Sequence, residues 1–330
     1  MRNFTFKGLF LTAVFMLLGC LSIQAADDDL ITKQITIKLE EAGTLPDRIA
    51  SSKKYKITNL KIIGEINGTD FRIIREMAGS DYYGGSTEGN LSVLDLSEAK
   101  IVEGGDYYYY SYYYNDTYYT SNDKIGDYAF YNCSRLTSLN LPDGITEIGE
   151  NAFAHCSGLT SLTLPAGITS IGEYAFYGCS GLTSLTLPAG ITEIGECAFY
   201  GCSGLTSLTL PVGLTQIDDY AFSECSGLTS IYVYAEKVPK IGEDVFTGCD
   251  AKKCTVYVPK GTYDDYWLSD FGYFENIVEF DATGIDKTKT STDAKELSHY
   301  SVNGQRLVGP TKGLNIVKYS DGSVKKVAVE

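Results

Sequence analysis

Residues 148–170 read IGENAFAHCSGLTSLTLPAGITS, residues 171–193 IGEYAFYGCSGLTSLTLPAGITE, and residues 194–216 IGECAFYGCSGLTSLTLPVGLTQ. The same unit opens at Ile125 as IGDYAFYNCSRLTSLNLPDGITE, loosens from Ile217 and ends in a half unit from Ile241. Cys133, Cys156, Cys179, Cys202 and Cys225 keep a spacing of 23 residues, and Cys249 follows after 24. A fixed period of this length marks stacked units, none of which buries its apolar face alone. Within Leu159-Thr160-Ser161-Leu162-Thr163-Leu164, the period of two turns Leu162 and Leu164 inward and Ser161 and Thr163 outward on a strand. Pro165 follows where a ladder N–H is no longer needed. Ile168 and Ile171 return the chain along another wall. Ile171, Ala175 and Cys179, four residues apart, predict a short helical turn, and Phe176 is expected to fill the space between coils.

The pattern I-G-x-x-A-F-x-x-C-x-x-L-T-S-L-x-L-P covers about residues 125–258. It resembles the BspA-like leucine-rich repeats of surface proteins from Gram-negative gut and oral anaerobes. The resemblance implies an α/β-type solenoid, a right-handed leucine-rich repeat with a parallel β-sheet on its concave face. It also implies a secreted or cell-surface protein that mediates protein–protein interaction or adhesion, since some members bind host matrix proteins such as fibronectin and fibrinogen.

The flanks carry weaker echoes of the unit. Ile57-Thr58-Asn59-Leu60-Lys61-Ile62 and Leu91-Ser92-Val93-Leu94-Asp95-Leu96 share the apolar one-four-six pattern, offset by 34 and then 45 residues to Leu136. Residues 26–124 are therefore read as irregular repeats forming an N-terminal cap with a tyrosine-rich insertion, and 125–248 as the regular array. Residues 249–282 read as a C-terminal cap, with Thr255 to Pro259 as the closing strand and Gly261 to Phe280, including Trp267, covering the last coil. Residues 283–330 read as a polar linker and a small β-domain, because Asn303-Gly304 and Asp321-Gly322 separate alternating apolar stretches as hairpin turns do. This tail resembles the C-terminal sorting domain of type IX secretion cargo; the other reading is a terminal β-cap.

At the other end, Arg2 and Lys7 precede an apolar run from Leu9 to Leu18, and small residues follow near Ala25. This is the pattern of a secretory signal covering residues 1–25. Leu17-Leu18-Gly19-Cys20 offers a rival, lipidation at Cys20. Cleavage after Ala25 would remove Arg2 and Lys7 and no acid, taking the net charge from -15 to -17. The apolar run is short for a membrane span, so no transmembrane segment is expected.

Composition narrows the chemistry. With 42 acidic against 27 basic residues, the chain lacks the clustered cations that nucleic acid demands. His155 and His299 are the only histidines. Glu150, Glu173 and Glu196 recur one per coil and do not converge, so they read as a solvated acidic stripe. The glycines follow the repeat and lack the strand-to-helix setting of a phosphate loop. No catalytic residue, no metal and no cofactor are expected. Stacked cysteines would sit about 4.7–4.9 Å apart, but with parallel Cβ vectors unsuited to disulfides and in a line unsuited to zinc. Cys133, Cys156, Cys179, Cys202, Cys225 and Cys249 are therefore read as a structural column of buried free thiols. Cys249 and Cys254 are near enough in sequence to pair locally.

Two features point to a partner. Tyr107, Tyr108, Tyr109, Tyr110, Tyr112, Tyr113, Tyr114, Tyr118 and Tyr119 crowd one stretch, expected to form a loop or extension off the solenoid. Tyrosine gives rigid contact area with a polar tip at low entropic cost; the competing reading is a low-complexity insertion packed on the first coils. Ser161, Thr163, Ser184, Thr186, Ser207 and Thr209, beside Ser138 and Asn140, would stack as a hydroxyl grid flooring a concave surface. The expected chain is a monomer whose partner is a host or bacterial surface protein, or else a glycan in an envelope uptake system. One contiguous aromatic patch would favour protein; tyrosines projecting singly along a groove would favour glycan.

Overall fold

The computed structural model describes residues 29–282 together with strands at 296–301, 306–307, 313–319 and 324–329. The leader at 1–25, Cys20 and the polar linker lie outside the described residues. The N-terminal part runs β1 (Ile35–Lys38), α1 (Leu45–Arg48), β2 (Asn59–Ile66), α2 (Gly68–Met77), β3 (Val93–Ile101), β4 (Gly104–Ser111) and β5 (Asp116–Thr120). Each regular coil then supplies one strand to each of two walls. The first wall takes β7 (Ser138–Asn140), β9 (Ser161–Thr163), β11 (Ser184–Thr186), β13 (Ser207–Leu210), β15 (Ser230–Val233) and β17 (Thr255–Pro259). The second takes β6 (Lys124–Ile125), β8 (Glu147–Ile148), β10 (Ser170–Ile171), β12 (Glu193–Ile194), β14 (Gln216–Ile217) and β16 (Lys240–Ile241). The chain is a leucine-rich-repeat solenoid of stacked parallel strands.

Register follows the repeat. Leu162 pairs with Leu139, and Leu185 with Leu208, so the leucines form inward rows while Ser184 meets Ser207 and Thr186 meets Thr209 on the outer side. The irregular N-terminal repeats join the same wall: Leu60 pairs with Leu94 and Leu94 with Leu139, the offsets of 34 and 45 seen in the sequence. Their extra residues build α2 and the β4–β5 hairpin. With β18 (Asn276–Phe280) added, the first wall is two five-stranded sheets, β1-β2-β3-β7-β9 and β11-β13-β15-β17-β18, whereas the second wall is one continuous six-stranded sheet. The hydroxyl grid expected from Ser161 to Thr209 is thus divided between Thr163 and Ser184.

The third wall corrects the helical turn expected at Ile171, Ala175 and Cys179. Tyr174 (φ 54°) and Gly178 (φ 69°) both lie in the left-handed region, and the same two positions recur as Asn151 and His155, and as Cys197 and Gly201. Two left-handed residues per coil interrupt any α-helix, so the segment is a run of tight turns. Its amides bond between coils instead: Phe153 N–H donates to Ala175 O at 2.7 Å, and Phe176 N–H to Ala198 O at 2.7 Å.

Inside this ladder Phe130, Phe153, Phe176, Phe199 and Phe222 stack at centroid spacings of 5.2, 5.0, 5.0 and 5.2 Å, with planes within 8° of parallel. Burying each ring stabilises the fold by about 1.5–3 kcal/mol. Beside the rings, the thiols of the column after Cys133 donate to the phenylalanine carbonyl of the preceding coil: Cys156 Sγ to Phe130 O at 3.0 Å, Cys179 Sγ to Phe153 O at 3.1 Å and Cys225 Sγ to Phe199 O at 3.2 Å, with Cys202 and Cys249 alike. The column is therefore packed thiol, and the eight described cysteines, Cys249 and Cys254 included, are free and buried.

The C-terminal end differs from the expectation in its closing strand. The strand at Thr255 is not the last one: β18 (Asn276–Phe280) adds outside it, Val256 pairing with Ile277. The segment from Gly261 to Phe280 covers the last coil, though not through its tryptophan. Trp267, at the end of α3 (Tyr263–Trp267), is 45% exposed, and Tyr266, Phe271 and Phe274 seal the end against Phe246 instead. The tail forms a four-stranded antiparallel sheet, β20-β19-β21-β22, from β19 (Glu296–Ser301), β20 (Arg306–Leu307), β21 (Gly313–Tyr319) and β22 (Val324–Val329).

Candidate recognition surfaces

The first regular coil has no coil before it, so its turn carbonyls lack the amides that serve their counterparts. In later coils Glu150 O, Ala152 O and Ala154 O accept from Tyr128, Phe130 and Asn132 N–H. Their equivalents one repeat earlier are Asp127 O, Ala129 O and Tyr131 O. Tyr108 Oη donates to Asp127 O at 2.7 Å. Arg75 Nη1 donates to Ala129 O at 3.1 Å and to Tyr128 O at 2.6 Å, while Nη2 donates to Tyr131 O at 3.2 Å. Arg75 is fully buried with no carboxylate among these partners; carbonyl dipoles and the face of Tyr109, 5.1 Å away, hold its charge. Phe71 lies 5.6 Å from Phe130 and closes the ring ladder at the same end.

That capping role removes two residues from the predicted contact. Tyr108 and Tyr109, at 1% and 7% exposure, are core residues. Both turn inward because the hairpin register slips between Gly104 and Tyr109. Tyr109 stacks on Tyr128 at 4.6 Å and 9°. Burial pushes the Tyr109 hydroxyl up to about 12 and Tyr108 higher still. Of the loop or extension expected, the stretch is the extension: an antiparallel hairpin, β4–β5, held against α2. Gly68 permits that approach, since a Cβ there would meet Asp106 O at 1.8 Å.

Tyr107, Tyr112 and Tyr119 join Tyr82 and Tyr83 in one row of touching rings, a platform beside the hairpin tip. Tyr112, Tyr113 and Tyr114 make the hairpin tip and are exposed, Tyr113 to 89%. The tip is ordered by Tyr110 Oη donating to Asn115 Oδ1 at 2.7 Å and by Tyr114 N–H donating to Ser111 Oγ at 3.3 Å. Tyr112 stacks on Tyr83 at 5.0 Å, and Tyr83 lies against Tyr82 at 4.0 Å. Tyr82 meets Tyr107 at 5.8 Å, and Tyr107 meets Tyr119 at 6.3 Å. Tyr118 faces the other way, packed on Tyr109 and Tyr128. Tyr82 and Tyr83 escaped the sequence reading, although the second tyrosine pair, Asp81-Tyr82-Tyr83-Gly84, was its available signal. The segment reaches the hairpin because Tyr110 N–H donates to Tyr82 O at 2.8 Å.

The hydroxyl wall is the second surface. Ser161, Thr163, Ser184 and Thr186 are exposed, while Ser207 and Thr209 are half-buried. A neighbouring threonine row binds the coils: Thr160 Oγ1 donates to Thr137 O at 3.0 Å and Thr206 Oγ1 to Thr183 O at 2.9 Å. Past Thr209 the row turns aromatic, with Tyr232 stacked on Tyr257 at 4.6 Å.

The acidic stripe is only partly solvated. Glu173 is exposed, but Glu150 is half-buried, accepting from Asn151 Nδ2 at 3.0 Å and Tyr128 Oη at 3.3 Å. Desolvation lifts its pKa above the usual carboxylate value, and Asp127 is lifted by the same cause. Among the described residues no cluster of three or more His, Cys, Asp or Glu side chains is arranged to hold a metal, and no helix is long and apolar enough to cross a membrane.

Solved structures with similar chains include a leucine-rich repeat protein of T. pallidum, 31% identical over 34% of this chain and 52% of that one, at a TM-score of 0.33. A leucine-rich repeat protein from Bacteroides ovatus is 24% identical over 49% and 54%, at a TM-score of 0.29. This chain thus spans about half the length of each. The pneumococcal vaccine antigen PcpA is 18% identical over 75% and 68%, at a TM-score of 0.37. A search of curated proteins finds no match. Residues 108–256, which hold the array of turns, thiols and stacked phenylalanines, match the BspA type leucine rich repeat region in six copies.

Proposed function

We propose that this chain is an exported, non-enzymatic recognition protein of the cell surface or surroundings that binds another protein through the tyrosine platform on its N-terminal hairpin. The single observation that carries the reading is contiguity: Tyr119, Tyr107, Tyr82, Tyr83 and Tyr112 touch in sequence across one face. Exposed tyrosine area of this kind is enriched in protein interfaces. A glycan groove would instead hold its rings apart with free faces, and here Tyr83 and Tyr112 cover one another. The leader-like residues 1–25 and the BspA-type repeats support export, and the exposed hydroxyls of Ser161, Thr163, Ser184 and Thr186 offer a second, weaker contact along the solenoid.

The test is binding of the full chain to immobilised fibronectin, fibrinogen and a panel of gut glycans, beside a Tyr112→Ser, Tyr113→Ser, Tyr114→Ser variant. Saturable protein binding that falls in the variant supports the reading. Binding to glycans alone, or protein binding indifferent to the three substitutions, overturns it.

A further inference from the structure

We propose that the platform selects partner segments rich in arginine, the guanidinium groups lying against the tip tyrosines between flanking carboxylates. The inference deepens the proposed function and rests on it, because it names the chemistry of the partner at the same surface.

Charge comes first. From Ile101 to Asp123 the hairpin and its flanks carry Glu103, Asp106, Asp116 and Asp123 and no lysine or arginine. The adjoining stretch from Gly79 to Asn90 carries Asp81 and Glu88 and again no cation. Asp106 and Asp116 are exposed, bracketing the hairpin at its base and its tip. An anionic partner, such as a sulfated glycan, would meet like charge here, which costs association rate and affinity.

The platform already binds one guanidinium. Arg72 of α2 lies 4.3 Å from the Tyr82 ring centroid and 5.0 Å from that of Tyr107, with Asp106 Oδ2 4.0 Å from its Nη1. Tyrosine faces and a carboxylate thus form an arginine seat within the chain, at the middle of the same row of rings. Arg75 repeats the aromatic half of that pairing below, against Tyr109. Beyond Arg72, the exposed Tyr112, Tyr113, Tyr114 and Tyr119 present rings and Asp116 a carboxylate, the same elements with no arginine of their own segment to fill them. Arginine suits this seat better than lysine, because its planar, weakly hydrated guanidinium stacks on aromatic faces while still donating to carboxylates.

The experiment titrates the full chain with a fluorescent Gly-Arg-Gly-Arg-Gly-Arg-Gly peptide and with twins in which citrulline or lysine replaces each arginine. Citrulline keeps the shape and most donors but loses the charge. The expected order is arginine, then lysine, then citrulline, with the Tyr112→Ser, Tyr113→Ser, Tyr114→Ser variant roughly tenfold weaker for the arginine peptide, the scale of a few exposed cation–π contacts. Asp106→Asn with Asp116→Asn should weaken it several-fold and flatten its salt dependence, as exposed charge pairs require. Equal affinity for the arginine and citrulline peptides, or an arginine affinity untouched by the tyrosine substitutions, overturns the proposal. If matrix-protein binding still falls in the tyrosine variant, the arginine inference alone is lost; if neither binding responds, the platform reading falls with it.

Discussion

Single side chains at the ends of the array matter more than any within it, because an interior coil finds its partners in copies of itself. Tyr108 is the clearest case. Its hydroxyl stands in for a backbone amide at Asp127 O, so Tyr108→Phe should leave a buried carbonyl unpaired and cost about 1–3 kcal/mol. The check is the urea midpoint of the full chain, and no change would mean that the carbonyl is served some other way. Arg75 was invisible in the sequence for the same reason. An arginine on an amphipathic helix reads as a solvated residue, and only the stacking of α2 on the first coil reveals the three carbonyls it closes. Tyr108 and Tyr109 misled in the opposite direction: nothing in a run of tyrosines marks which members turn inward, since a register slip in the hairpin decides it.

At the scale of the element, the strands were legible and the turns were not. Leucines with a period of two and a proline after them specify a half-buried strand, and the fixed repeat makes its neighbours parallel. Ile171, Ala175 and Cys179, by contrast, fit a helical spacing, and the two left-handed residues that break it, Tyr174 and Gly178 in one coil, Asn151 and His155 in another, share no residue type. The division between β9 and β11 was equally hidden, because the flanking units are nearly identical in sequence. The cysteine column was legible as buried thiol, though its hydrogen bonds to phenylalanine carbonyls were not. Burial raises Cys133 to about 11 and Cys249 and Cys254 to about 12. Little thiolate therefore exists at neutral pH, and a thiol reagent should label the described cysteines of the native protein only as fast as it unfolds. Cys197, outside the column and beside Tyr174, should react first. Fast stoichiometric labelling without denaturant would contradict the packing.

For the molecule as a whole, acidity sets the response to pH. Desolvation raises the folded-state pKa of Glu150 and Asp127 above their unfolded values. The folded protein therefore holds these protons more tightly than the unfolded chain does. Their contribution is most favourable below the ordinary carboxylate range and is lost as pH rises through the raised values. The net charge of -15 acts in the same direction, through self-repulsion. Thermal stability should thus increase when the protein is brought from pH 7 towards 5, and Glu150→Gln, which keeps an acceptor for Tyr128, should make that rise shallower; an unchanged slope would place the effect elsewhere. The two ends of the solenoid carry a different consequence. Arg75, Phe71 and Tyr108 address the first coil, and Phe271 and Phe274 address the last, while the coil at residues 171–193 meets only its near-twins. Adding or deleting such a coil in frame would shift the far end by about one strand spacing, 4.7–4.9 Å, and disturb neither end. Reach is then a heritable quantity that unequal recombination between near-identical stretches can adjust one step at a time, leaving the tyrosine hairpin as it was.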